Sequence, residues 1–126
     1  MYKKYSIEEV FKLLGDSVKD TSPINKRERK SIIIDGHEVY TNSWRYKTFY
    51  NKGCNCVKCG RKGSYFKLES GGSKEESNRR HFNLYSEDDV LMTKDHILPK
   101  SKGGKDTLEN FQTMCCICNS NKGNKV

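Results

Sequence analysis

The side chains that could do chemistry concentrate near the end of the chain, in the stretch "TKDHILPKSKGGKDTLENFQTMCCICNSNKGNK". A carboxylate and an imidazole, Asp95 and His96, are adjacent, and asparagines follow a cysteine pair further along. A histidine has an ordinary pKa of about 6.5, so it can accept a proton from water at neutral pH. Carboxylate and amide oxygens suit Mg²⁺ or Mn²⁺ better than Zn²⁺. Together these groups could activate a water molecule and hold a divalent cation, which is the chemistry that phosphodiester hydrolysis needs.

Two C-x-x-C pairs supply four thiolates, which is enough to close a tetrahedral structural zinc site: Cys56, Cys59, Cys115 and Cys118. The two pairs are separated by 55 residues, more than the roughly 15–20 of a common zinc ribbon. The zinc would therefore enclose a long segment that contains Asp95 and His96. A redox role for each pair is the alternative, but the βαβ context typical of such pairs is missing.

Two further cysteines, Cys54 and Cys116, are left over. Cys54 could compete with Cys56 for the metal, but the C-x-x-C spacing places its two sulfurs better for binding one metal ion. We therefore expect neither Cys54 nor Cys116 to be a ligand.

The composition points to a single basic domain that binds a polyanion. The chain has 126 residues, 33% of them hydrophobic and 32% charged, and a formal net charge of +8. Nucleic acid is the commonest partner of such a basic chain. A chain this polar has a small hydrophobic core, so a bound structural metal would help to stabilise its fold. No apolar run is long enough for a membrane span, and the N-terminus has no apolar signal region. We expect a cytoplasmic protein that is not secreted, in the host cytoplasm if a phage encodes it.

The first 53 residues predict a helix, a β-hairpin and a second helix. Ser6 followed by Glu9 is a helix-start pattern, and Asp35-Gly36 between β-prone runs predicts a tight hairpin turn. The second helix would be capped at Asn42 or Ser43 and end at Gly53. Its Trp44 is more typical of a core anchor than of a platform for a nucleic-acid base.

The second half predicts two strands, "SYFKLES" and "HFNLYS", joined by the mobile polar connection "GGSKEESNRR". His81, after Arg79 and Arg80, could contact phosphate or be a half-exposed strand residue. A strand, loop, strand and helix follow: "DVLMT", "KSKGGKDTLE", "NFQTMC" and a helix that carries Asn119. This order would bring Asp95, His96 and Asn119 together.

The motifs "DHILPKSKGG", "LEN" and "CCICNSNKGN", preceded by a C-x-x-C pair, resemble the HNH endonucleases of the ββα-metal fold, whose zinc-stapled members are frequent in bacteriophage genomes. The resemblance covers residues 54–125. It implies an α+β protein with a zinc-stapled nuclease module at residues 54–126. Residues 1–53 would form an N-terminal extension that packs on this module.

The resemblance also assigns roles to single residues. It implies that His96 is the general base and that Asp95 is a ligand of the catalytic metal. Asn110 takes the place of the asparagine that braces the loop. Asn119 takes the last motif position and would contact the metal, which makes this an HNN variant; Asn121 is a weaker alternative ligand. Five lysines around the site are candidate contacts to DNA phosphates: Lys100, Lys102, Lys105, Lys122 and Lys125.

We therefore expect an endonuclease that nicks or cleaves DNA, with one structural Zn²⁺ and one catalytic Mg²⁺ or Mn²⁺. DNA would be bound mostly through its phosphates, and no membrane partner is expected. One alternative is zinc-dependent nucleic-acid binding without cleavage, which leaves Asp95 and His96 without a purpose. A second is a nuclease that acts on RNA, and a third is a structural or packaging partner in a phage particle.

Overall fold

A computed structural model describes residues 3–70, 78–123 and 125. Most of the predicted connection "GGSKEESNRR" lies outside the described residues. The α-helices and strands described before residue 54 are β1 (Lys4–Ser6), α1 (Ile7–Leu14), β2 (Ser31–Ile34), β3 (His37–Tyr40) and α2 (Trp44–Lys52). No helix in the described ranges is long and apolar enough to cross a membrane.

Both predicted helices begin at a capping serine. Ser6 Oγ accepts a hydrogen bond from Glu9 N at 3.1 Å and starts α1. Ser43 Oγ accepts from Arg45 N at 3.2 Å and starts α2, which ends at Gly53. These bonds satisfy backbone N–H groups that have no partner within the helix, so the predicted starts of both helices are confirmed. The apolar stripe predicted to continue to Val18 leaves the α-helix after Leu14 and ends in a 3-10 turn over Gly15–Val18.

The hairpin of β2 and β3 turns at Asp35 and Gly36, as the sequence predicted. Both residues have positive φ, 49° and 83°, which is the conformation that a two-residue hairpin turn requires. The two strands pair from Ser31 opposite Tyr40 to Ile34 opposite His37.

A three-stranded antiparallel sheet joins the two halves of the chain. Strand β1 pairs with β4 (Gly63–Ser70), which pairs with β5 (Arg80–Ser86). The sequence predicted β4 and β5 but not β1, since three residues are too few to show an alternating pattern. Tyr5 of β1 lies opposite Phe66 of β4, so the sheet crosses the predicted boundary between residues 53 and 54.

The last elements form the predicted strand, loop, strand and helix: β6 (Met92–His96), β7 (Phe111–Cys115) and α3 (Cys116–Lys122). Strands β6 and β7 are antiparallel, and α3 packs on both. Together with the helices and sheets before them, these elements confirm the α+β class. Three boundaries differ from the prediction. Asp95 and His96 end β6 rather than follow it, Asn110 ends a 3-10 turn before β7, and α3 begins at Cys116.

Candidate active site

Three of the predicted site residues line one small pocket at the end of the β6–β7 pair. Asp95 and His96 come from β6 and Asn119 from α3, and the pocket they border has a volume of about 200 Å³. Three lysines also line the pocket: Lys94, Lys100 and Lys122. The structure therefore brings a carboxylate, an amide, an imidazole and three basic residues around one space.

Asp95 is buried and has one carboxylate oxygen committed to the protein. Its Oδ2 accepts hydrogen bonds from Gln112 Nε2 and from Lys122 Nζ, each at 2.8 Å. Gln112 lies directly opposite Asp95 in the strand register. Both bonds that the described residues make to this carboxylate go to Oδ2, which leaves Oδ1 as the atom that a cation could bind.

Asn119 is held in a similar way. Its Nδ2 donates to Thr93 Oγ1 at 2.9 Å, and Thr93 Oγ1 in turn donates to the carbonyl of Met114 at 2.6 Å. This chain of bonds fixes the amide and leaves the Asn119 side-chain oxygen for a ligand. Two hard oxygens, one from a carboxylate and one from an amide, fit Mg²⁺ or Mn²⁺.

The His96 ring is held on one edge by a carboxylate that the sequence reading did not identify. His96 Nε2 lies 2.7 Å from Asp106 Oδ1, and Lys100 Nζ lies 2.9 Å from Asp106 Oδ2. The ring also packs against Phe111, with 4.8 Å between ring centroids. The hydrogen bonds from His96 and Lys100 lower the pKa of Asp106 to about 2. Asp106 is therefore an acceptor at neutral pH, so the proton of a neutral imidazole lies on Nε2 and the lone pair on Nδ1.

Asp106 and Gln112 were missed for different reasons. Asp106 lies ten residues after His96 in an irregular loop, and no fixed spacing predicts which loop carboxylate returns to the ring. Gln112 could have been found, because pairing β6 with β7 in the observed register places it opposite Asp95.

Asn110 connects the two ends of the loop between β6 and β7. Its Oδ1 accepts from Leu98 N at 2.8 Å, and its Nδ2 donates to the carbonyls of Leu98 and Lys105, both at 3.0 Å. Gly104 lies so close to this point that a Cβ there would come within 1.7 Å of the Leu98 carbonyl oxygen. These bonds fix the loop that carries Lys100 and Asp106.

The five lysines proposed to contact phosphate occupy different environments. Lys102, Lys105 and Lys125 are exposed, and Lys100 is exposed but paired with Asp106. Lys122 lies inside the pocket, because its ammonium group binds Asp95 and also the His96 carbonyl at 2.6 Å. Lys94, which the sequence reading did not single out, also borders the pocket.

The four cysteines of the two C-x-x-C pairs form a second cluster. The sulfurs of Cys56, Cys59, Cys115 and Cys118 all lie within 4.8 Å of one another. Cys59 Sγ is 3.8 Å from Cys115 Sγ. Four sulfurs at this spacing are a suitable donor set for a metal such as zinc.

The thiols of the cluster influence each other's ionisation. Burial opposes ionisation of Cys56, but backbone hydrogen bonds, first from Cys59, lower the pKa of Cys56 to about 6. The hydrogen bond with Cys115, and then burial, raises the pKa of Cys118 to about 12. Four thiolates this close repel one another unless a cation lies among them, so the arrangement favours binding of a divalent metal.

The two remaining cysteines lie outside the cluster. Cys54 Sγ is 3.7 Å from the carbonyl of Phe49, and burial raises the pKa of Cys54 to about 11. Cys116 is half-buried at the start of α3.

The segment that forms β6, the loop, β7 and α3 carries the histidine, the aspartate and the two asparagines described above. This segment can be compared with known families. Residues 85–126 match the HNH endonuclease family. The HNH match covers one third of the chain and contains the whole pocket, but it includes only the second cysteine pair. No curated protein and no solved structure matches the chain. The HNH match indicates a nuclease and implies a nucleic-acid substrate.

Proposed function

We propose that this protein is a metal-dependent endonuclease that nicks or cleaves DNA by hydrolysing phosphodiester bonds. One observation carries the proposal. Asp95, Asn119 and His96 each use one polar side-chain atom in a hydrogen bond within the protein and have a second polar atom for a ligand or a proton. All three residues border the same pocket inside the segment that matches the HNH family.

His96 is the general base of this proposal. Asp106 accepts a hydrogen bond from the N–H group at Nε2, so Nδ1 can take a proton from the attacking water. The imidazolium that forms is then stabilised by the ionised Asp106 carboxylate. Packing of the ring against Phe111 limits its rotation, which keeps Nδ1 in one place.

Asp95 and Asn119 are the proposed ligands of the catalytic cation. Bound there, Mg²⁺ or Mn²⁺ supplies positive charge to the scissile phosphate and its leaving oxygen. Lys94 and Lys100 add positive charge at the pocket wall, and Lys122 partly neutralises Asp95. DNA is bound mainly through phosphates, so binding should weaken steeply as salt rises.

The test is cleavage of supercoiled plasmid by the zinc-loaded protein with and without Mg²⁺. His96→Ala should slow cleavage by roughly 10²-fold or more, the range typical of losing a general base, while zinc content and DNA affinity stay the same. Added metal should not rescue it, because the proton acceptor itself is gone.

His37→Ala is the matched control, since His37 is also a strand histidine, but its ring bonds Asn78 in another part of the fold. If His96→Ala cuts plasmid as fast as the parent and as His37→Ala, the general-base role is wrong. DNA binding without catalysis then becomes the better explanation.

A further inference from the structure

A second, larger concave surface lies beside the catalytic pocket. It has a volume of about 650 Å³ and lies between N-terminal elements and strand β5. Lys94 lines both this surface and the catalytic pocket, and Asp106, which binds His96, lies in its wall. We call this surface the arginine cleft, after the four arginines that line it: Arg29, Arg45, Arg79 and Arg80.

The charge of the arginine cleft suits an anion. Among the described residues that line it, the wall contains the four arginines, Lys94 and one carboxylate, Asp106. Lys94 is half-buried, and its ammonium group lies 4.3 Å from the centroid of the Phe111 ring. A half-buried ammonium group gains from an anionic partner.

The cationic groups of the arginine cleft are held in place by neighbouring side chains. The guanidinium carbons of Arg29 and Arg79 lie 5.0 and 4.5 Å from the centroid of the Tyr40 ring. Arg45 Nη1 donates to Asn83 Oδ1 at 2.9 Å. Arginines that are already oriented lose less side-chain entropy when they bind phosphate.

The arginine cleft also has an apolar side. Pro23, Ile24, Tyr40 and Trp44 line it. Trp44 packs against Phe111 at 5.5 Å between ring centroids, and Phe111 packs against His96. A line of aromatic rings therefore leads from the arginine cleft to the proposed general base.

A cavity that combines cations with an apolar wall should bind some forms of DNA more tightly than others. A duplex presents phosphates to a protein surface but keeps the faces of its bases stacked inside. An unpaired nucleotide presents a phosphate and a base face together, and proteins bind it with basic grooves and aromatic side chains. The cavity volume also lies in the range of roughly 300–1,000 Å³ found for small-ligand sites.

We propose that the arginine cleft binds unpaired nucleotides of the DNA strand next to the phosphate that is cut. The protein therefore prefers DNA with a single-stranded segment, such as a gap or a flap, beside the cleavage position. The position of the cut relative to the arginine cleft rests on the proposed function, whereas binding of the single strand does not.

The binding experiment uses the full chain carrying His96→Ala, without Mg²⁺, and a fluorescent single strand of about 12 nucleotides. Arg29→Gln combined with Arg79→Gln should weaken binding of this strand about tenfold. It should also reduce the slope of log affinity against log salt by about 1.4, the value for two lost phosphate contacts. Both arginines are exposed, so the variant should fold.

The control variant combines Lys12→Gln with Lys52→Gln. It removes the same net charge from two exposed lysines that do not line the arginine cleft. Its affinity should change less than threefold. Equal losses in the two double variants would overturn the proposal, because the effect would then be one of overall charge.

The cleavage experiment compares a plain duplex with a duplex that has a short gap beside the labelled strand, using the parent protein with Mg²⁺. The gapped substrate should be cut faster, and the ratio of the two rates should fall toward one in the arginine double variant. Equal rates on both substrates in the parent would contradict the proposal.

The two proposals fail in different ways. If neither substrate is cut but the arginine double variant binds the single strand more weakly than the control variant does, the proposed hydrolysis is wrong and the proposal for the arginine cleft is kept. If DNA is cut but the two double variants bind the single strand with equal affinity, only the proposal for the arginine cleft is wrong.

Discussion

The two ends of the β6–β7 pair have opposite kinds of site. Met92 lies opposite Cys115 at the end near the cysteine cluster, and His96 lies opposite Phe111 at the end with the proposed catalytic pocket. At the first end four sulfurs lie within 4.8 Å of one another. At the second end Asp95 and Asn119 each offer a single oxygen beside an open space.

The difference between the two ends predicts that a metal at the cysteine cluster stays bound, whereas a cation at the pocket exchanges with solvent. Four protein ligands complete a tetrahedral shell, as in structural zinc sites, whereas a site with positions left for water or substrate is typical of catalysis. Thiolates select a softer ion and carboxylate or amide oxygens a harder one. The proposed structural site and the proposed catalytic site therefore lie at opposite ends of two short strands.

The largest effect is expected from the cysteine cluster. Cys115→Ser should lose the metal and most of the folded protein. Structural zinc contributes on the order of 10 kcal/mol in small peptides, comparable with the roughly 5–15 kcal/mol that stabilises a typical domain. Metal content of the purified protein and thermal unfolding would measure this loss.

Cys116→Ser is the matched control, because Cys116 is the next residue and lies outside the cluster. It should keep the metal and change stability by less than about 1 kcal/mol, as is usual for substitutions away from special features. Loss of metal from Cys116→Ser, with retention in Cys115→Ser, would show that the ligand assignment is wrong.

The pocket end should behave in the opposite way, with activity lost and the metal of the cysteine cluster kept. Asp95→Ala should reduce cleavage by roughly 10²-fold, because removing the carboxylate leaves the cation with the weaker amide ligand. Asn119→Ala should reduce cleavage less, since a neutral amide holds a cation less strongly. Excess Mn²⁺ should partly restore both variants, which a titration of cleavage rate against metal would measure.

Asn121→Ala is the control for these two variants, since Asn121 is exposed on the same helix. It should cut DNA like the parent. If Asn121→Ala needed extra metal and Asn119→Ala did not, the ligand on α3 would have to be reassigned.

The smallest effect is expected from Asp106, which contacts the base and not the substrate. Asp106→Asn should lower kcat by about 10-fold to 100-fold, in the range seen for residues that orient a ligand or base. KM should not rise, because the change removes a negative charge near the proposed DNA path. Steady-state rates on a short labelled duplex would separate the two constants.

The pH dependence of the Asp106→Asn defect tests the same role. The pKa of Asp106 is depressed to about 2, so its bonds to His96 and Lys100 are fully present above the ordinary value near 3.8. They are lost only as the pH falls toward about 2. The defect should therefore be equal at neutral and mildly alkaline pH. Asp16→Asn, at an exposed position, should show no defect at either pH.

The sequence predicted best the features that local chemistry determines. Ser6, Ser43 and the Asp35-Gly36 turn each form structure with neighbours a few residues away, and all three were predicted. The grouping of Asp95, His96 and Asn119 followed from the order of strand, loop, strand and helix. Their proposed roles in catalysis stay predictions.

The features that the sequence did not predict depend on contacts between distant segments. Asp106 reaches His96 only because Asn110 and Gly104 fix the loop. Strand β1 forms because β4 offers it an edge. The arginine cleft combines residues from β3, α2 and β5, and no single stretch of sequence carries that pattern.

The division of the cysteine cluster between two distant segments limits how far the segment that matches the HNH family can be transplanted. Residues 85–126 contain the whole proposed catalytic pocket but only two of the four sulfurs. The turn that carries Cys56 is also attached to β7, because Val57 N donates to the carbonyl of Thr113 at 3.0 Å. A chimeric protein that received residues 85–126 alone would therefore inherit half of a metal site and an unsupported strand. The smallest portable unit has to begin before Cys56.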